Sequence, residues 1–249
     1  MTQSWLLAGI AILATSISGS AMSADIHKAA RKGDLEEVQL LIAGGANLAE
    51  LDKAVGSPLH WAAARGHEDV ARVLLENGAD PNQEARAPDN LTPLHLSASS
   101  GHAALARLLV EAGADLSAGE GAVGTPLHFA AKSDKAEVAA FLIDAGADPN
   151  AKAKSGAYGV YPLHFAAESG ANAAIRVLLD RGALVNAKNE LTGVTALHLA
   201  VFHSQAEAAR VLLDAGADPD ADSTNIETPK KLAAYNDEMK ALFAALGIE

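Results

Sequence analysis

The sequence predicts an all-α solenoid, a series of helix–turn–helix units joined by extended loops with β-turn fingers. A Pro/Ala-Leu-His-x-Ala/Ser-Ala/Val phrase recurs five times, with its histidine at His60, His95, His128, His164 and His198, so the successive spacings are 35, 33, 36 and 34 residues. Self-similarity at such a period marks an architecture of stacked repeats. Each phrase is followed by its own Leu-rich run and a Gly-Ala step. The composition agrees: 49% of the residues are apolar but only 4% aromatic, which suits thin layers of Ala and Leu between close-packed helices.

Each element of a unit has a local cause. Thr92, Thr125, Thr195 and Ser57 stand where a helix N-cap belongs, and the proline that usually follows lacks only an N–H that would be unpaired at the first helical position. Gly66, Gly101 and Gly170 mark the turn after the first helix, where positive φ is needed. Asp134 and Ser204 fill that slot in two units, which predicts less comfortable turns there. The second helix ends at Gly45, Gly78, Gly113, Gly146, Gly182 and Gly216. From that glycine to the next opening residue the loop is usually 12 residues, as from Gly113 to Thr125, but between Gly146 and Tyr161 it is 15. The additions fall around Ala153–Val160 and include Tyr158. Insertions in repeats often lie on a binding face, and equally a loop tolerates added length at little entropic cost.

The fullest unit reads Ser57-Pro58-Leu59-His60-Trp61-Ala62-Ala63-Ala64-Arg65-Gly66-His67, then Val73-Leu74-Leu75, then Gly78-Ala79-Asp80-Pro81-Asn82. This wording resembles the ankyrin repeat. The resemblance covers residues 25–249 and implies one ankyrin-repeat domain, with units at about 25–57, 58–91, 92–124, 125–160, 161–194 and 195–227 and a C-terminal cap at 228–249. The first unit keeps His27-Lys28-Ala29-Ala30 but lacks the Thr-Pro-Leu opening, and the last has Lys231 where the histidine belongs. Both read as caps, because terminal repeats show water a face that inner repeats bury. The family implies that the recurring histidine ties backbone groups of adjacent loops together. It also implies binding through loop tips and the exposed, concave face of the first helices. Carried onto this chain, the partner-binding candidates are Trp61, Arg65, Ser100, Phe129, Lys132, Lys154, Tyr158, Phe165, Glu168, Phe202 and His203. Further loop-tip positions are Lys53, Arg86, Asp89, Glu120, Lys152, Lys188, Glu190, Asp222 and Asn225. Trp61, Phe129 and Phe165 share a slot with Leu96 and Leu199 and are expected to be at least half packing residues. Phe202 stands where the sister units have Ala64, Ser99, Lys132 and Glu168. It is either a hydrophobic anchor for a partner or a residue packed on the last cap.

Charge limits the partners. With 31 acidic against 19 basic residues and a net charge of −12, the chain repels phosphate backbones, so no nucleic acid or anionic lipid is expected. Residues 1–24 carry no charged side chain, and the apolar stretch Trp5–Ile17 is too short to cross a bilayer as a helix. It reads as a signal peptide cleaved after Ala21 or Ala24. The expected mature protein is periplasmic or secreted, is not inserted in a membrane and is a monomer. Without cysteine it has no disulfide and no lipid-attachment site.

No cofactor, metal or catalytic role is expected. Successive histidines are separated by roughly 8–10 Å of helix packing, too far to share a zinc ion whose ligands lie about 2 Å away. Asp218, Asp220 and Asp222 imitate the start of a calcium loop, but its sixth and twelfth positions are Ser223 and Pro229; a weak calcium site is left open. Arg72–Glu76, Arg107–Glu111, Arg176–Asp180 and Arg210–Asp214 read as i, i+4 pairs on a solvated outer face. Neither a phosphate-binding glycine loop nor a nucleophile elbow occurs. The expected function is a non-catalytic protein-interaction module of the bacterial periplasm. The alternative is a secreted effector, an enzyme inhibitor or a toxin-masking, immunity-like protein.

Overall fold

A computed structural model describes residues 19–54, 56–86, 90–120, 122–153, 160–224 and 226–248; among them there are fourteen helices and no strand. The segment before Gly19, read above as most of a signal peptide, lies outside the described residues, as do Lys154, Tyr158, Asp89 and Asn225. The helices come in pairs. They are α1 (Gly19–Lys32) with α2 (Leu35–Ala43), α3 (Pro58–Arg65) with α4 (Glu68–Glu76), and α5 (Pro93–Ser100) with α6 (Ala103–Glu111). Then come α7 (Pro126–Lys132) with α8 (Ala136–Asp144), α9 (Pro162–Ser169) with α10 (Asn172–Asp180), α11 (Ala196–Phe202) with α12 (Ala206–Asp214), and α13 (Pro229–Ala233) with α14 (Asp237–Ala245).

The first helix of each pair starts where the sequence places it. Ser57 and Thr125 hold the extended N-cap conformation, with ψ of 169° and 167°, and proline follows at the first helical position. The turn after that helix has positive φ at Gly33 (75°), Gly66 (76°), Gly101 (84°), Asp134 (53°), Gly170 (68°) and Ser204 (57°). At Asp134 and Ser204 a side chain sits in the left-handed region, at a cost of about 1–2 kcal/mol each.

The chain divides into two compact units, one reaching to Leu94 with Arg107–Ala114, the other formed by His95–Ala106 with the chain from Asp115 on. In the first, α1 packs on α2 and α3, and α4 packs on α2 and α3. Its core holds Ile26, Ala30, Val38, Leu59, Ala62, Ala63, Ala71 and Leu74, all fully buried. In the second, α7, α9, α11 and α13 pack side by side as an inner layer, and α8, α10, α12 and α14 as an outer one. Between the layers lie Leu127, Ala130, Ala131, Ala139, Leu142, Ala166, Ala167, Ile175, Leu178, Leu197, Ala200 and Leu212. The paired alanines let inner helices approach closely, while each buried leucine contributes roughly 2 kcal/mol.

The two ends depart from the pattern. At 14 residues α1 is longer than its counterparts and runs through Ala21 and Ala24. The C-terminal cap has an α13 of 5 residues and docks through Met239 and Phe243. No helix among the described residues is long and apolar enough to cross a membrane.

Candidate interaction face

The repeated histidine is the bolt on which the inner face is mounted. Thr125 N–H donates to His128 Nδ1 at 3.0 Å, and Thr125 Oγ1 lies 2.9 Å from the same nitrogen. An amide can only donate, so Nδ1 is unprotonated and the ring proton sits on Nε2. Nε2–H then donates to the Val160 carbonyl, 3.1 Å away and 32 residues along the chain. The histidine thus takes the role that Glu or Gln has in a capping box and clamps the next loop as well. The same arrangement joins Ser57, His60 and the Leu91 carbonyl. His95 reaches the Gly124 carbonyl at 3.0 Å, His164 reaches Ala187 at 3.2 Å, and His27 reaches Glu50 at 2.8 Å. His198 accepts from Thr195 N–H at 3.1 Å, yet among the described residues its buried Nε2 completes no hydrogen bond, although the Ala221 backbone is within electrostatic reach. Burial pushes the His128, His164 and His198 pKa values down to about 4 and lowers that of His95, so these rings are neutral at neutral pH.

Asparagines clasp the outer edge. Asn82 Nδ2 donates to the Gly113 carbonyl at 2.9 Å, Asn150 Nδ2 to Gly182 at 3.1 Å and Asn186 Nδ2 to Gly216 at 3.1 Å. Asp218, the first of the three calcium-like aspartates, accepts the Asp220 amide at Oδ1 at 2.9 Å, the same local turn that Asp80 and Asp148 make. The expected outer ion pairs are only partly as the spacing suggested. Arg210 does approach Asp214, at 3.9 Å. Arg72, however, pairs with Glu68 at 2.9 Å, and Arg176 crosses to Glu207 of the next repeat at 2.7 Å. Helical side chains lean toward the N-terminus, which favours a partner one turn back over one turn ahead.

On the inner face the aromatic slot is half-buried. Phe129 packs edge-on against His95, with ring centroids 5.1 Å apart, and Phe165 against His128 at 5.3 Å. Lys132 Nζ sits 5.9 Å above the Phe165 ring. In the first unit Trp61 donates its Nε1–H to Asp52 at 2.6 Å and lies under the Arg31 guanidinium, while Arg65 is exposed. These rings therefore serve packing first, as their slot implied. Phe202 differs. It is 59% exposed, touching the His203 ring edge-on at 5.2 Å, and His203 lies 3.9 Å from Glu168. Ser100 and Lys132 are exposed as well. At the loop tips Lys152 and Glu190 pair with each other at 2.5 Å, and that contact raises the lysine pKa and lowers that of the glutamate.

The sequence reading missed one residue. In register, Thr228 matches Thr195, so Tyr235 occupies the slot of Phe202 one repeat later, and it is 77% exposed. The Glu227 carboxylate, first as a hydrogen-bond acceptor and then as a charge, raises the Tyr235 phenol pKa.

Comparison with known proteins decides the family. The family model for ankyrin repeats, described as three copies, matches residues 23–85, 83–153 and 127–223, most of the chain. The chain belongs to the ankyrin-repeat family. Ankyrin repeats are protein–protein interaction modules, and the histidine bolts and asparagine clasps are how this chain stacks them. Among curated relatives, protein phosphatase 1 regulatory subunit 27 of Homo sapiens is 39% identical over 71 residues, 27% of this chain and 46% of that protein. E3 ubiquitin-protein ligase XBAT33 of Arabidopsis thaliana is 42% identical over 72 residues, 28% of this chain and 14% of that protein. The chain thus spans less than half the length of these relatives. Among solved structures, the human ASB11 ankyrin repeat domain superposes with a TM-score of 0.75 at 30% identity, covering 88% of this chain and 96% of that one. The ankyrin repeat domain of Bcl-3 gives a TM-score of 0.70 at 28% identity, covering 88% and 97%.

Proposed function

We propose that this ankyrin-repeat protein is a non-catalytic interaction module of the bacterial periplasm, binding another protein through the inner-helix face of its second unit. The observation that carries the reading is Phe202, a large ring left 59% exposed at a position where sister repeats have small or charged residues. An exposed aromatic on a rigid frame is the form a binding hot spot takes. The frame supports it: His95, His128 and His164 each fix a neighbouring loop, so contacts are presented in place and binding costs little ordering entropy. His203 touches the anchor, Glu168 lies by His203, Lys132 and Phe165 lie together on the same inner face, and the loop bearing Lys154 and Tyr158 is the additional contact we assign by sequence.

The periplasmic part of the proposal rests on the uncharged, apolar start of the chain. Cell fractionation with sequencing of the mature N-terminus tests it. A protein beginning at Met22 or Asp25 in the periplasmic fraction is expected, and an uncleaved cytoplasmic protein overturns it. The acidic balance favours a basic target, which keeps open a second reading as a secreted effector, an enzyme inhibitor or a toxin-masking protein. Recovery from the culture medium instead of the envelope selects that reading.

A further inference from the structure

Phe202 and Tyr235 stand at the same register position of successive repeats, on helices and turns that pack side by side through α11 and α13. Packed helices lie roughly 8–10 Å apart, and Phe202 closes α11 while Tyr235 follows α13 by two residues, so one docking segment can reach both. Nothing in the fold requires either ring to be exposed. Both could be alanine, as at Ala64, without loss of the core, and large aromatics are ordinarily buried.

Carboxylates border the pair. Glu227 acts on the Tyr235 hydroxyl on one side, and Glu168 lies by His203 on the other. From Glu190 to the C-terminus acidic side chains outnumber basic ones more than two to one, on a chain of net charge −12. A basic group docking here gains Coulomb attraction in partly desolvated surroundings, whereas an acidic one is repelled.

Resting on the interaction-module reading, we propose that the Phe202–Tyr235 pair is the docking site for a protein segment that inserts one apolar side chain between the rings and sets Arg or Lys against Glu168 and Glu227. The aromatic rings supply the area removed from water, and the carboxylates select the charge of what flanks it. Arginine suits the site better than lysine, because its guanidinium both stacks on an aromatic face and forms paired bonds to a carboxylate.

The test is panning of a phage-displayed random peptide library on the full chain, followed by titration of the enriched peptide against variants. The expected peptides carry an apolar residue with Arg or Lys close by. Phe202→Ala and Tyr235→Ala should each weaken binding at least about tenfold. The double variant Glu168→Gln, Glu227→Gln should weaken it severalfold at low salt and less as salt rises. Acidic or purely polar peptides, no enrichment at all, or binding unchanged in both aromatic variants overturns the proposal. If a crosslinked cellular partner survives Phe202→Ala and Tyr235→Ala but is lost with Lys132→Glu, this inference falls together with the Phe202 anchor, while binding through the inner-helix face stands.

Discussion

Asp134 Oδ1 accepts the backbone amide of Ala174 at 2.9 Å, across 40 residues of chain. Ala174 is the third residue of α10, whose own N-cap is Ala171, a residue with no side chain able to cap. Asp134 thus caps the outer helix of the following repeat while occupying a turn position where φ is 53°. The strain in one repeat is offset by a bond made in the next.

This relationship predicts a pattern among substitutions. Asp134→Asn keeps an acceptor and a residue that tolerates the left-handed region, so its urea midpoint should stay near wild type. Asp134→Ala loses the cap and keeps the strain, at a cost of about 1–2 kcal/mol. Adding Ala171→Ser to Asp134→Ala should restore part of the loss by supplying a local cap. Ser204→Gly, at the other strained turn, gives up only an exposed bond to Asn236 and should gain up to about 1 kcal/mol. Asp134→Ala as stable as Asp134→Asn would contradict the account.

Acid should loosen the stack before carboxylates begin to titrate. His128, His164 and His198 stay neutral in the fold down to about pH 4, whereas an unfolded histidine takes its proton near 6.5. Between those values the unfolded state binds more protons, so stability falls as pH drops through the window and is level above it. His128 and His164 are each worth up to about 3 kcal/mol over the full window. The urea midpoint should hold constant from about pH 8 to 7 and decline from about 6.5, an onset that carboxylates cannot produce. A flat midpoint down to about pH 5 would contradict this.

His128 and His198 look alike in sequence but are joined differently. Both accept from the threonine amide, yet only His128 clamps a carbonyl of the following repeat. His128→Ala should therefore cost about 1 kcal/mol more than His198→Ala. Native-state hydrogen exchange should show the cap helices α13 and α14 opening at lower free energy than α7–α10. Equal costs and uniform protection would remove the distinction.

The helix starts and the inner turns were legible because each rests on a residue type with one local use, proline at a first turn and glycine at positive φ, whereas the histidine bolts were legible only through the resemblance to the family. The aromatic slot was legible as half packing because sister repeats place Leu96 and Leu199 in it. What escaped were choices settled across repeats. Arg72 and Arg176 each had more than one carboxylate in reach, and only geometry shows that one turns back to Glu68 and the other crosses to Glu207. The cap of α10 was invisible because the carboxylate that caps it lies a whole repeat away. Tyr235 went unseen because the cap lacks the histidine that sets the register, although aligning Thr228 with Thr195 recovers it.

The most direct test of the central claim is a quantitative crosslinked pull-down from cell fractions with the tagged full chain, comparing wild type, Phe202→Glu and Leu40→Glu, with thermal melts of the same three proteins. Leu40 is also an exposed apolar side chain, 48% accessible, but it lies on the outer helix α2. The account predicts a partner captured by wild type and by Leu40→Glu, lost with Phe202→Glu, and melting temperatures nearly unchanged. Capture that persists in Phe202→Glu, or a variant that loses its partner only because it unfolds, would contradict it.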